Sequence, residues 1–194
     1  ISRIQSIYRF HAVTRGWGDI GYNYLIDQEG KIYEGRYGGN GSRGAHTYYD
    51  KVHDNFNYGS IGIALIGSYS AEDIRPVMYD SLSKLVGWLT AANNLNPQEL
   101  RKTSLIWNPT KGGFASIYTG PIIAGHKDVE PGNPDPGLVN LIKVRQEASQ
   151  YKLKYQNYLY SIAGLDLLTS SGQRVYKLEN GARKIYNSLN EYTS

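Results

Sequence analysis

Ser60-Ile61-Gly62-Ile63-Ala64-Leu65-Ile66-Gly67 carries no charge along its length. A strand with one solvated face would alternate apolar and polar residues, so this run reads as a strand buried on both faces in the middle of a sheet. Downstream, Pro76 stands where a first helical turn tolerates proline, and Met78, Leu82, Leu85, Val86 and Leu89 form one stripe ending near Asn94. That spacing predicts a helix covering the sheet. Upstream, Tyr22-Asn23-Tyr24-Leu25-Ile26 and Lys31-Ile32-Tyr33-Glu34 flank Asp27-Gln28-Glu29-Gly30, which predicts a β-hairpin.

Further out, Ile4, Ile7, Tyr8 and His11 fall at i, i+3, i+4 and i+7. They predict an amphipathic helix over the first dozen residues, ending at Gly16, with His11 on or near its apolar face. Arg36 to Asn57 is rich in Gly, Asn, Tyr and Ser without periodicity and reads as a long loop, with His53 an exposed loop residue. Leu105 to Thr119 suggests a hairpin-like insertion around Lys111-Gly112-Gly113, and Pro121-Ile122-Ile123-Ala124-Gly125 a second buried strand ending at His126. A further helix is expected from about Gly137 past Val144. Strands alternating with covering helices give an α/β fold, a single central mixed β-sheet flanked by helices, over residues 1–155.

Residues 156–194 differ in character. Arg174-Val175-Tyr176-Lys177-Leu178 and Ala182-Arg183-Lys184-Ile185-Tyr186 alternate around Glu179-Asn180-Gly181, a hairpin signal because Asn-Gly accepts the positive φ of a type I′ turn. One hairpin is marginal alone, so the extension is either a piece of a larger module or a ribbon packed on the main domain.

Composition narrows the chemistry. Among 194 residues, 21 Lys and Arg against 17 Asp and Glu leave a net charge of only +4, scattered and without the basic stripe of a phosphate-backbone binder, so nucleic acid is excluded as a partner. No run approaches the ~18 apolar residues of a membrane span. With no cysteine, disulfides and thiolate ligands are ruled out together, and any metal must sit on His and carboxylates. The 18 tyrosines supply flat rings with polar tips, suited to sugar and peptide surfaces and equally to strands and cores.

On the residues alone, the best metal candidate is His126, followed nine positions later by Asp135 in Asp135-Pro136-Gly137. Imidazole and carboxylate both ligate zinc, but two donors make an incomplete site, and a histidine at a strand end is also a common hydrogen-bonded structural residue. Both readings stay open at this level.

The stretch from His11 to Ile26, HAVTRGWGDIGYNYLI, resembles the signature segment of peptidoglycan-recognition proteins and type-2 N-acetylmuramoyl-L-alanine amidases. The likeness continues in order through Ile32-Tyr33-Glu34-Gly35-Arg36, Gly44-Ala45-His46-Thr47, Asn57 to Gly67, and Gly125-His126-Lys127-Asp128-Val129, covering roughly residues 3–140. The resemblance implies zinc as cofactor, with His126 and Asp135 as ligands, and Tyr22 as the catalytic tyrosine beside the developing oxyanion. It implies a peptide groove lined by His11, Arg15, Arg43, His46 and Asn57. It also implies, through Gly16-Trp17, a preference for meso-diaminopimelate stems, with peptidoglycan or muropeptides as partner and an extracellular or cell-envelope location.

Two departures from the family pattern stand out. The family's first zinc ligand is a histidine in a strand upstream of the first helix, and this sequence begins at that helix; the expectation is that the strand lies in a preceding segment. Asn133 stands where active relatives often carry Lys or Thr, and an amide donates a hydrogen bond but shuttles no proton at neutral pH. The resemblance therefore implies a zinc-dependent amidase cutting between N-acetylmuramic acid and the L-alanine of the stem. The alternatives are a non-catalytic peptidoglycan-binding module, or a component of a surface or structural assembly.

Overall fold

The computed structural model describes residues 2–47, 56–103, 107–108, 113–114, 118–130, 132–162, 165–168, 174–179 and 182–186. The chain opens with α1 (Ser2–Tyr8), which passes into a π-helical segment at Arg9–Thr14. The wide turns close with Arg15 N–H donating to Phe10 O, at 2.9 Å. The predicted helix is present, but none of its described residues is buried, so the expected apolar face is only partly covered.

The hairpin forms as read: β1 (Tyr24–Ile26) pairs antiparallel with β2 (Ile32–Glu34), Leu25 opposite Tyr33. Local chemistry explains it. Asp27 Oδ1 accepts from the N–H groups of Glu29 and Lys31, and Gly30 adopts the positive φ that closes the turn. The apolar run at 60–67 yields a shorter strand, β3 (Ile63–Leu65), parallel to β1, in a mixed sheet of order β2-β1-β3. Among the described residues it is an edge strand with half-buried side chains, which corrects the expectation of a central strand covered on both faces.

Helix α2 (Pro76–Ala92) covers this sheet, with Pro76 in its first turn and Met78, Leu82, Leu85, Val86 and Leu89 buried. These five side chains, each contributing about 1.5–3 kcal/mol on burial, outweigh the few tenths per residue that separate helix propensities. They join Ile26, Ile74, Val144 and Ala148 in the core. At Gly87 the second long helix comes so close that an added Cβ would lie 2.6 Å from Tyr151 Cβ.

Beyond α2, β4 (Leu100–Thr103) pairs antiparallel with β7 (Tyr118–Pro121), and between them β5 (Trp107–Asn108) pairs with β6 (Gly113–Phe114), the expected insertion. The second buried strand was expected to run to His126. Instead β7 ends at Pro121, and His126 opens a short helix, α3 (His126–Val129). Asp128 causes this: its Oδ2 accepts from Gly125 N–H at 2.7 Å and closes the first turn. Helix α4 (Leu141–Ile162) starts four residues later than the expected helix because Asn140 caps it, Oδ1 accepting from Lys143 N–H at 3.0 Å. It is continuous through position 155.

At the C-terminus the expected hairpin pairs as β9 (Arg174–Glu179) and β10 (Ala182–Tyr186), and β8 (Leu165–Leu168) adds a third antiparallel strand. The turn at Asn180-Gly181, the insertion tip at Lys111-Gly112, and His53 lie outside the described residues. Among the described residues no helix is long and apolar enough to cross a membrane.

Candidate functional site

Segments from both halves of the chain converge on a cavity of about 1360 Å³ whose wall includes His11, Tyr22, Arg43, His46, His126 and Asp135. Asn57 also lines it. Each side chain arrives by a traceable local cause.

Tyr22 enters from the residues just before β1. Its neighbour Asn23, fully buried, accepts from Gly62 N–H at 2.9 Å and donates to Ser42 O at 2.9 Å and Gly39 O at 3.3 Å. One carboxamide thus ties the start of β1 to β3 and to the loop at 39–42. On the other side, Gly35 leaves no room for a side chain, since a Cβ there would sit 2.3 Å from Tyr22 O. Burial, and secondarily the negative charge of Asp135, push the Tyr22 phenol above its ordinary pKa. It therefore stays protonated at neutral pH and keeps a hydrogen to donate.

His11, on the π-helical segment, is packed against Trp17 with ring centroids 4.9 Å apart and against Tyr22 at 5.7 Å. Its Nδ1 accepts from Gly21 N–H at 3.2 Å, which puts the ring hydrogen on Nε2. Burial, then the charges of Arg15 and Arg36, lower its pKa and keep the ring neutral.

His46 is held more tightly. Gly44 and Gly62 give its ring space, since a Cβ at either would approach Cδ2 to 2.3 or 2.4 Å. Burial first, then His126 and Arg36, lower its pKa to about 4, so the ring is neutral. Its Nε2 is buried and, among the described residues, finds no hydrogen-bond partner. An orphaned polar atom in a cavity wall calls for a reason, and a ligand group is the simplest.

Also in the cavity wall, His126 has Nε2 2.6 Å from Glu130 Oε2, and Asn133 Nδ2 lies 3.2 Å from His126 Nδ1. The carboxylate accepts and the amide donates, which makes the neutral Nε2–H form the consistent tautomer. Asn133 is thus beside His126 without itself lining the cavity.

The other expected site residues take different places. Arg15, Gly16 and Trp17 lie outside the cavity wall; Arg15 stacks on Phe10 at 5.2 Å and Gly16 holds a positive φ of 69°. Asn57 is 5 % exposed, its Oδ1 accepting from His46 N–H at 2.7 Å and Thr47 N–H at 2.9 Å while Nδ2 donates to Thr47 O. Those bonds hold the His46 backbone in place.

Sequence reading passed over four residues that build the site. They are Asn23, Glu130, Tyr58 and Arg36; the last donates to Ile20 O at 2.8 Å and Arg43 O at 3.2 Å. For Asn23 a signal existed: a polar residue at an inward position of an apolar hairpin strand demands buried partners. Among the described residues, no group of three or more His, Asp or Glu side chains gathers in a way that could hold a metal ion.

Residues 3–138 match the N-acetylmuramoyl-L-alanine amidase family. The peptidoglycan-recognition protein SC2 of Drosophila melanogaster is 31% identical over 129 residues, which are 66% of this chain and 54% of that protein. The N-acetylmuramoyl-L-alanine amidase of Sus scrofa is 42% identical over 71 residues, 37% of this chain and 10% of the pig protein. This chain thus spans about half the length of the recognition protein and about a tenth of the mammalian amidase. Among solved structures, Apis mellifera PGRP-SA aligns at 36% identity and a TM-score of 0.43, over 48% of this chain and 52% of that one. The amidase LysC from Clostridium intestinale aligns at 31% and 0.40, over 48% and 56%.

Proposed function

Given that this chain belongs to the N-acetylmuramoyl-L-alanine amidase family, we propose that the cavity is a groove for the peptide stem of peptidoglycan, in which the bond between N-acetylmuramic acid and the stem's L-alanine is hydrolysed. The observation that carries this reading is the convergence of Tyr22, His126 and Asp135 on one cavity from segments more than a hundred residues apart. Substrate and place of action go together, so the protein works outside the cell or in the cell envelope.

The donors fit zinc in kind: a neutral imidazole nitrogen and a carboxylate oxygen suit a borderline cation. His126 and Asp135 would be two of the three protein ligands usual for catalytic zinc. Zinc, when bound, supplies Lewis acidity toward water and the amide carbonyl. The chain's own residues do the rest. Tyr22, kept protonated, donates to the oxygen that becomes negative as the amide carbon turns tetrahedral. Glu130 fixes the ring of His126. His11 and His46, neutral, offer ring nitrogens to stem amides. Gly16-Trp17, outside the cavity wall but with the Trp17 ring packed on His11 at 4.9 Å, would act through His11 in a choice of meso-diaminopimelate stems. The ribbon after α4 is a separate C-terminal extension in this reading.

Incubation of the full-length protein with purified walls and zinc tests the proposal, scored by the appearance of new L-alanine amino ends. Folded, zinc-supplied protein that leaves walls intact where a control amidase cuts them would count decisively against hydrolysis.

One set of contacts favours a second reading, recognition without cleavage. Both ring nitrogens of His126 are engaged, by Glu130 and Asn133, and Asn133 moves no proton at neutral pH. Retention on walls that is equal with and without chelator, together with no release of amino ends, would select it.

A further inference from the structure

Helix α1 and the π-helical segment after it present two different faces. One lines the cavity through Arg3, Ser6, Ile7, Phe10 and His11. The other is turned away from it. Ile4 and Tyr8 are one α-turn apart, and the i→i+5 bonding of the π-helical segment at Arg9–Thr14 brings Val13 into line with Tyr8. A regular α-helix, at 3.6 residues per turn, would rotate Val13 well away from Tyr8. The wide turn therefore joins these apolar groups into one stripe. Tyr8 is 48% exposed and Val13 70%, and Trp17, just past the segment and outside the cavity wall, is 41% exposed. No residue of Ser2–Thr14 is buried, although helices shorter than about 12–15 residues are marginal in water unless a face is covered.

Charge says what covers this one. Arg3, Arg9 and Arg15 are the charged residues between positions 2 and 18, with no Asp or Glu among them. Among the described residues none of the three pairs with a carboxylate, and Arg15 lies over the Phe10 ring at 5.2 Å. The next acid along the chain, Asp19, has its two oxygens engaged by the N–H groups of Ile20 and Tyr37. A helix with uncompensated arginines beside exposed Tyr, Val and Trp has the make-up of one that lies in a lipid interface, where aromatic rings sit at headgroup level and cations meet phosphates.

We propose that the outer face of this helix docks the protein on an anionic lipid surface, with Tyr8, Val13 and Trp17 at headgroup depth and Arg9 and Arg15 against the lipid phosphates. Lipid fits this face better than an anionic wall polymer does. A polymer's phosphates would satisfy the arginines but leave Tyr8 and Val13 in water. The contact is peripheral, since no described helix is long and apolar enough to cross a membrane. Because the opposite face of the same helix carries His11 into the cavity wall, docking sets the cavity beside the membrane, whatever the cavity binds.

Co-sedimentation of the full chain with phosphatidylcholine vesicles, with and without phosphatidylglycerol, tests the assignment, together with hydrogen exchange of the backbone amides on the same vesicles. Wild-type protein is expected to bind the anionic vesicles about tenfold or more tightly than the neutral ones, and added salt to weaken the binding. R9Q removes one surface cation and V13S one apolar anchor, and each is expected to weaken binding about fivefold. Exchange should slow within residues 4–17 when anionic vesicles are added. That map is read on the unaltered protein, so it decides the question even if a substituted helix frays. Equal binding to neutral vesicles, no binding to either, or protection confined to other residues overturns the proposal. If soluble polyphosphate binds as tightly as the vesicles do and V13S matches wild type, the face is a site for an anionic polymer and the lipid assignment is overturned.

Discussion

Glu130 reaches back one helical turn to His126 and sets Oε2 2.6 Å from Nε2. A carboxylate that accepts the distal N–H of an imidazole fixes its tautomer and raises the basicity of the other nitrogen, an arrangement that metal-ligating histidines share. Here the other nitrogen is Nδ1, which Asn133 now engages.

Substituting Glu130 by Ala is therefore expected to weaken zinc binding by about 10–100-fold while leaving the chain folded. Competition against a chromophoric chelator reads the affinity directly. An E130A variant that holds zinc as well as wild type would detach Glu130 from the proposed zinc ligand His126.

Under the proposed hydrolysis, Tyr22→Phe is expected to separate catalysis from binding. The ring remains to pack against His11, at 5.7 Å between centroids, and only the donor is lost. Removing one donor to a developing oxyanion costs about 10²–10³ in rate. Initial rates of amino-end release should fall by that factor while sedimentation with walls is unchanged. A parallel loss of wall binding would mean that Tyr22 contributes to the groove and not to the reaction.

His46 makes stability depend on pH. Burial, then His126 and Arg36, hold its folded pKa near 4, below the 6.5 of the free side chain. The unfolded chain takes up this proton first as pH falls, so stability from this group is full above about pH 6.5 and declines toward pH 4, by up to about 3 kcal/mol. Urea midpoints measured between pH 7 and pH 4 should drop for wild type, and H46Q should flatten the decline. Identical pH profiles for the two proteins would show that the histidine is protonated without penalty.

The elements that were legible in the sequence are those whose causes are local. Asp27 and Gly30 make the hairpin turn within four residues, and Pro76 with its apolar stripe makes α2. The misreadings arose where a nearby polar group or a distant partner decided. Apolar Ile122-Ile123-Ala124 looks like strand, yet Asp128 caps Gly125 and turns His126 into a helix start. The run around Ile63 looks doubly buried, but its half-burial depends on which strands pair with it, and β1 alone does so among the described residues. The hydrogen-bond partners of Arg36 and Asn57 were opaque for the same reason: they are backbone groups of residues far along the chain, which no spacing rule reports.

Asn23 gives the sharpest test of how the site is held. It is fully buried, its Oδ1 accepts from Gly62 N–H, and its Nδ2 faces two carbonyl oxygens, of Ser42 and Gly39. Asn23→Asp keeps the acceptor and the shape but replaces the donor with a charged oxygen pointing at those carbonyls. Burial and the carbonyl dipoles both disfavour the anion, and they outweigh the one N–H it accepts, so the folded pKa of the new carboxyl should rise above the ~3.9 of the unfolded chain. The deficit relative to wild type is then largest at neutral pH, on the order of 2–4 kcal/mol for an uncompensated buried polar contact, and shrinks as pH falls and the acid regains a hydrogen to donate. Urea midpoints of the two proteins compared at pH 7 and pH 4.5 give the difference with the His46 contribution common to both. A gap that stays constant, or widens in acid, would show that Asn23 holds the loop at 39–42 through shape alone.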